Sequence, residues 1–141
     1  MKPVSDKRMR RIKEVRQFRL DLIAKVGKCE VCGHSEKKPN RNLPSDCSKL
    51  AVHEIANGPD RAKALDQEYA ILVLCYACNQ EMCSKHVWPQ SRQLAVLRTR
   101  RPSDYDLVAF NHLVNPNAPN RITEQEVEEH YRKDAAWLNH S

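Results

Sequence analysis

Two cysteine pairs of the Cys-x-x-Cys form constrain what this chain can fold into. The pairs are Cys29 with Cys32 and Cys75 with Cys78, and 42 residues lie between them. Two residues between cysteines let both sulfur atoms face one point, and four thiolates form the tetrahedral set of a structural zinc ion, at about 2.3 Å. Ordinary buried thiols or a redox pair would not predict the same spacing twice. We therefore predict that one Zn²⁺ joins both pairs and closes the segment between them into a loop.

The chain shows none of the apolar segments that mark secreted or membrane proteins. We find no apolar signal segment, and no apolar run approaches the roughly 18 residues of a membrane span. We therefore expect a cytoplasmic protein that has no membrane partner. Thiols stay reduced in the cytoplasm, which makes a disulfide framework the weaker interpretation of the cysteines.

Positive charge is concentrated at the beginning of the chain. The net charge is +6, and residues 1–28 contain ten Lys or Arg against three Asp or Glu. The counts are seven against eight in residues 29–90 and seven against seven in residues 91–141. Basic segments of this kind bind nucleic-acid phosphates without regard to sequence. Charge alone supports a solvated helix face equally well.

Residues 5–26 predict an amphipathic helix. Apolar side chains recur at steps of three and four, and Gly27 supplies a stop signal. We expect this stripe to pack on the core, and it consists of Ile12, Val15, Phe18, Leu22 and Val26. Arg10, Lys13 and Arg16 project from other faces of the helix and are candidates for DNA contact.

Two short apolar segments lie inside the predicted loop. Residues 50–55 and 69–74 have the length and composition of strands, and the second runs directly into Cys75. The first contains one polar dipeptide, His53-Glu54. Residues 57–59 break this strand, and residues 79–86 can continue as a helix up to Pro89. The predicted order is therefore strand, strand, helix.

The C-terminal segment contains two further helical patterns. The first covers residues 104–114, and the second begins at a capping box of Thr123 and Glu126 and runs to about Trp137. Residues 115–120 form a polar, proline-rich linker between them. The amphipathic faces of these helices are a candidate surface for a protein partner.

This order of motifs resembles the HNH (ββα-metal) endonuclease family of the zinc-knuckle type, over about residues 29–88. The resemblance rests on both cysteine pairs, the His53-Glu54 dipeptide followed by Ile55, and Asn79 after the second pair. It implies an α+β fold, in which a small zinc-stapled ββα-metal core at 29–90 follows a basic helix at 1–28 and precedes a helical extension at 91–141. It also implies metal-dependent hydrolysis of DNA in a bacterial cell or a phage-infected host.

The resemblance further implies a catalytic site at His53, Glu54 and Asn79. Alignment on Ile55 makes His53 the ligand of the catalytic cation and Glu54 the general base. Chemistry favours the reverse, because a carboxylate with an ordinary pKa of about 4.3 is a weaker base than an imidazole at about 6.5. We therefore predict His53 as the base, and Glu54 with Asn79 as oxygen ligands of Mg²⁺ or Mn²⁺. The alternative assignment stays open.

Two positions depart from the family pattern. Asn79 replaces the His of most members, although Cys-x-x-Cys-Asn is similar to the phage recombination endonuclease branch. Ala70 occupies the position of an Asn that orients the loop carrying the base, so that loop must be held in another way. The resemblance also implies that Arg61 and Lys63, between the two strands, contact the scissile phosphate.

Several residues near these motifs have simpler explanations. Cys47 has no partner at metal-ligand spacing and is expected to be a free thiol. Cys83 is expected to be a half-buried thiol, and His86 a surface residue. Two other functions also remain open for the chain as a whole: a catalytically inactive, zinc-stabilised DNA-binding protein on the same scaffold, and a zinc-stapled adaptor that binds a protein.

Overall fold

A computed structural model describes residues 5–33, 50–56, 61–83 and 87–138. The helices are α1 (Asp6–Val26), α2 (Tyr76–Met82), α3 (Gln90–Arg100), α4 (Leu107–Val114) and α5 (Glu124–Leu138), and the strands are β1 (Ala51–Glu54) and β2 (Ile71–Leu74). Short 3-10 turns occupy Arg61–Ala64, Glu68–Ala70 and Ala118–Asn120. No described helix has the length and apolar character needed to cross a bilayer. The predictions for Cys47, for His86 and for a break at 57–59 lie outside the described residues.

Helix α1 has the bounds that its sequence predicts. The side chain of Ser5 accepts a hydrogen bond from Arg8 N at 3.2 Å, and Gly27 ends the helix with a φ of 71°, a conformation that favours glycine. Leu22 is buried, and Phe18 is partly buried against the core. Ile12 is 50% exposed, so the prediction that it packs on the core is wrong. The apolar stripe packs only along the C-terminal part of the helix.

The two strands form one antiparallel sheet that confirms the α+β class. Ala51 lies opposite Leu74, and His53 lies opposite Leu72. Every residue of β2 is fully buried, whereas β1 is only partly covered. The sheet therefore hides β2 in the core and leaves the side chains of β1 near the surface.

Helix α3 was not predicted, although it supplies much of the core. Its residues 94–97 are each 0% exposed, and α3 packs along α5. No residue of α3 is exposed, so the helix has no fully solvated polar face and lacks the period that identifies an amphipathic helix. One core cluster therefore contains residues from the predicted ββα segment, which ends at position 90, and from the helices that follow it.

Candidate functional site

The four cysteines of the two pairs form one cluster. Their sulfur atoms all lie within 4.8 Å of one another, and Cys32 Sγ is 3.6 Å from Cys75 Sγ. A tetrahedron with Zn–S bonds of 2.3 Å has edges of about 3.8 Å, so the donor set fits a structural zinc ion. The predicted convergence of the two pairs is confirmed. Within the described ranges, no other group of three or more His, Cys, Asp or Glu side chains is gathered in this way.

Backbone hydrogen bonds bring the two pairs together. Gly33 N donates to Cys29 O at 3.0 Å and closes the first pair into a turn, in which Gly33 has a φ of 80°. Glu30 N donates to Val73 O at 2.8 Å, which fastens this turn to β2. The second pair follows β2 directly, with Cys75 before α2 and Cys78 in its first turn.

Two thiols of the cluster have shifted pKa values. The hydrogen bond from Cys78 lowers the pKa of Cys29 to about 4, and the same bond raises the pKa of Cys78. The pair therefore shares a hydrogen bond that favours one thiolate. Zinc binds thiolates, so its binding at the cluster would release the remaining protons.

A second polar group lines an open pocket of about 560 Å³. It contains four of the predicted site residues, which are His53, Glu54, Asn79 and, from the turn between the strands, Arg61. The full lining consists of Arg19, Val52, His53, Glu54, Ala56, Arg61, Asn79 and Cys83. Side chains from α1, β1 and α2 thus meet at one surface.

His53 lies between two amide side chains. Its Nδ1 is 3.0 Å from Asn79 Oδ1, and its Nε2 is 2.9 Å from Gln93 Oε1. Gln93 donates its amide N–H to Trp88 O at 2.8 Å, so its oxygen accepts from the Nε2–H of His53. This network places a proton on Nε2. The oxygen of Asn79 is an acceptor, so its contact with Nδ1 is a hydrogen bond only when Nδ1 carries a proton or when the Asn79 amide is turned to present its N–H.

Glu54 contacts a different set of residues, because neighbouring side chains on a strand point to opposite faces. Arg19 Nη2 donates to Glu54 Oε1 at 2.8 Å, and Arg61 Nε donates to Oε2. Burial raises the pKa of Glu54, but the hydrogen bonds and charges of the two arginines outweigh it and hold this pKa below its ordinary value. Both oxygens of an ionised carboxylate are therefore engaged.

Sequence reasoning missed three residues that shape this pocket. Arg19 reaches it from α1, and Gln93 orients His53. Gln90 Nε2 donates to Ile55 O at 3.1 Å, and Ile55 N donates to Ala70 O at 2.9 Å. These two bonds hold the end of β1. They supply a support for the loop carrying the base, which the sequence did not identify. Pro89, at the start of α3, was the signal for a helix that would carry both glutamines.

The remaining predicted residues lie around this pocket or outside its lining. Arg10, Lys13 and Arg16 are exposed along α1, and Lys63 is exposed on the turn that carries Arg61. Cys83 is exposed, so the prediction of a half-buried thiol is wrong. Its Sγ lies 3.3 Å from Asn79 O at the end of α2.

Comparisons with known proteins add no family assignment. Neither protein-family models, nor curated proteins, nor solved structures gave a match to this chain. A function must in any case be argued from the residues of a site rather than from a fold.

Proposed function

We propose that this protein is a metal-dependent endonuclease of the HNH type, which hydrolyses phosphodiester bonds in DNA. The observation that carries the proposal is the position of His53, in a pocket that also holds two arginines. An imidazole suits proton transfer at neutral pH, and guanidinium groups suit phosphate. The order β1, β2, α2 around the four cysteines supports a ββα-metal core.

The chemistry follows from the contacts of His53. Asn79 turns its oxygen away from Nδ1, and Nδ1 takes a proton from an attacking water molecule, while Gln93 accepts from Nε2–H and fixes the ring. The water oxygen forms a bond to phosphorus, and the bond to the leaving sugar oxygen breaks on the opposite side. Arg19 and Arg61 stabilise the negative charge that develops on the phosphoryl oxygens.

A divalent cation, Mg²⁺ or Mn²⁺, is part of the proposal through the resemblance. The amide oxygen of Asn79 is a suitable ligand for such a hard cation. Glu54 fits less well, because Arg19 and Arg61 already engage both of its oxygens. When bound, the cation would stabilise charge on the leaving oxygen.

Replacing His53 tests the proposed base. We expect His53→Ala to slow plasmid cleavage in Mg²⁺ or Mn²⁺ by about 10²- to 10⁴-fold, the usual contribution of a general base. Zinc content and circular dichroism should match the parent. His112→Ala, at an exposed histidine on α4, is the control and should cleave at the parent rate. Equal cleavage rates for the two variants would show that His53 is not the general base.

The basic face of α1 predicts a salt-dependent contribution to DNA binding. Replacing Arg10, Lys13 and Arg16 together by glutamine should weaken binding at every DNA sequence. The slope of log K against log salt should fall by about 0.9 for each phosphate that the variant no longer neutralises. Fluorescence anisotropy with a labelled duplex measures this slope. A slope equal to that of the parent would show that these side chains form a solvated face and do not contact DNA.

Two observations favour a second candidate function, a DNA-binding protein that has lost cleavage. Glu54 is committed to two arginines, and Ala70 stands where the family pattern has an Asn. In this case the parent and His53→Ala bind DNA alike, and neither cleaves it in Mg²⁺ or Mn²⁺. The plasmid assay therefore separates the two candidates.

A further inference from the structure

The carboxylate of Glu54 joins two arginines from separate segments of the chain. Arg19 belongs to α1, and Arg61 belongs to the turn that precedes β2. The Glu54 side chain is 15% exposed, compared with 25% for Arg19 and 59% for Arg61. The group carries two positive charges and one negative charge. It therefore gives this part of the pocket a net positive charge.

Both arginines retain donors that have no hydrogen-bond partner in the described part of the chain. Arg19 uses Nε on Leu65 O at 3.1 Å and Nη2 on Glu54, and Arg61 uses Nε on Glu54. Nη1 of Arg19 and both Nη atoms of Arg61 are the donors that remain without a described partner. A guanidinium fork matches two oxygens of a phosphate group. A phosphodiester can therefore accept these donors while Glu54 holds the other nitrogens.

A divalent cation is a poor occupant of the same position. A cation bound by Glu54 would share oxygens that already accept from two guanidinium groups, and it would lie beside their two positive charges. An anion is attracted by the same two charges and displaces nothing. The contacts of Glu54 therefore favour a phosphate over a metal ion.

We propose that Arg19 and Arg61 bind one backbone phosphate of a nucleic acid, and that Glu54 is the positioning residue that holds both guanidinium groups. This inference rests on the proposed function, because it assigns the phosphate-binding part of that pocket. It removes Glu54 from the ligands of the catalytic cation. It also explains why the carboxylate is engaged by two cations from segments far apart in the sequence.

The phosphate site lies next to one residue of the basic face of α1. Arg16 and Arg19 are three residues apart and are neighbours on the helix surface, whereas Arg10 is nine residues from Arg19 and lies on the opposite side of the helix. Nucleic acid bound at Arg16 would therefore reach the His53 pocket at Arg19.

The phosphate site is tested by binding a labelled DNA duplex to zinc-loaded protein, without added Mg²⁺ or Mn²⁺, over a range of salt concentrations. Arg19→Gln and Arg61→Gln should each weaken binding by about tenfold to a hundredfold, as expected for a charge-assisted hydrogen bond. Arg61 is mostly exposed, so its replacement tests the site without disturbing the fold. Parental affinity in both variants would overturn the proposal.

The positioning role of Glu54 is tested by whether removal of its charge tightens or weakens DNA binding. Glu54→Gln removes a negative charge, which by itself should tighten DNA binding. Loss of the arrangement of the two arginines should instead weaken it by about threefold to tenfold. Asp66→Asn is the matched control, because Asp66 pairs with Arg11 of α1 but does not line the pocket. Binding by Glu54→Gln as tight as by Asp66→Asn would overturn the positioning role.

Cleavage assays on the same variants separate this inference from the proposed function. One outcome is that the three substitutions weaken DNA binding as expected although the parent does not cleave DNA in Mg²⁺ or Mn²⁺. That result would contradict the proposed nuclease activity and support the phosphate site. A Glu54→Gln protein that binds DNA like the parent without added Mg²⁺ or Mn²⁺, but needs more Mn²⁺ for cleavage, would make Glu54 a cation ligand. That result would overturn the inference and support the nuclease.

Discussion

Cys29→Ala should abolish the cooperative folding of this protein. Cys29 is 0% exposed, and its turn is fastened to β2 through the backbone of Glu30. A structural zinc ion contributes about 10 to 16 kcal/mol at neutral pH, compared with a total stability of about 5 to 15 kcal/mol for a typical domain. Removing one of four ligands therefore takes away most of the free energy of folding. Thermal unfolding followed by circular dichroism, together with the zinc content, measures this effect.

Cys83→Ala is the matched control for the cysteine cluster. Cys83 is an exposed thiol at the end of α2, the helix that contains Cys78, and it does not belong to the cluster. This variant should keep one zinc ion per chain and the parental melting temperature. A chelator should unfold the parent and the control alike. A Cys29→Ala protein that melts like the parent would contradict the zinc-stapled fold.

Arg101→Met should destabilise the zinc-loaded protein by about 3 to 5 kcal/mol, the usual cost of leaving one charge of a buried pair alone. Arg101 donates to both oxygens of Glu30, at 2.9 and 3.1 Å, and the two side chains are 9% and 1% exposed. Burial lowers the pKa of Arg101, but its bonds to Glu30 and Asp104 outweigh burial and raise it overall. The substitution leaves the Glu30 carboxylate buried without a cation.

Urea unfolding of zinc-loaded variants measures this cost. Arg132→Met is the control, because Arg132 pairs with Glu128 through a side chain that is 78% exposed, and such pairs contribute about 0 to 1 kcal/mol. Adding Glu30→Gln to Arg101→Met should restore part of the lost stability, since it removes the unpaired charge. An Arg101→Met protein as stable as Arg132→Met would show that α3 is not anchored to the first cysteine turn by this pair.

Helix α1, the two strands and the cysteine cluster could be predicted because each has a local signal. The repeat of apolar residues with a final Gly27 defines α1, and the spacing of each cysteine pair limits where its sulfur atoms can point. Helix α5 was predicted in the same way, from the capping box in which the Thr123 hydroxyl accepts from Glu126 N at 3.2 Å. Such signals depend on residues a few positions apart, and they do not depend on how the rest of the chain folds.

The partners of the polar side chains could not be predicted in this way. The sequence placed His53 and Glu54 side by side and predicted one as the base and the other as a cation ligand of one site, whereas the strand directs them to different neighbours. Those neighbours, Gln93 and Arg19, lie 40 and 35 residues away along the chain. No local pattern records such a contact, since it depends on how α1 and α3 pack against the sheet.

The amino-acid sequence by itself therefore determined the metal-binding framework and most of the regular elements. Tertiary structure alone decided that α3 is a core helix, that Gln93 orients His53, and that Glu54 holds two arginines. The physical reason is the range of the interactions. Helix periodicity and ligand spacing are set within one or two turns of chain, whereas burial and hydrogen-bond partners are set only when distant segments come together.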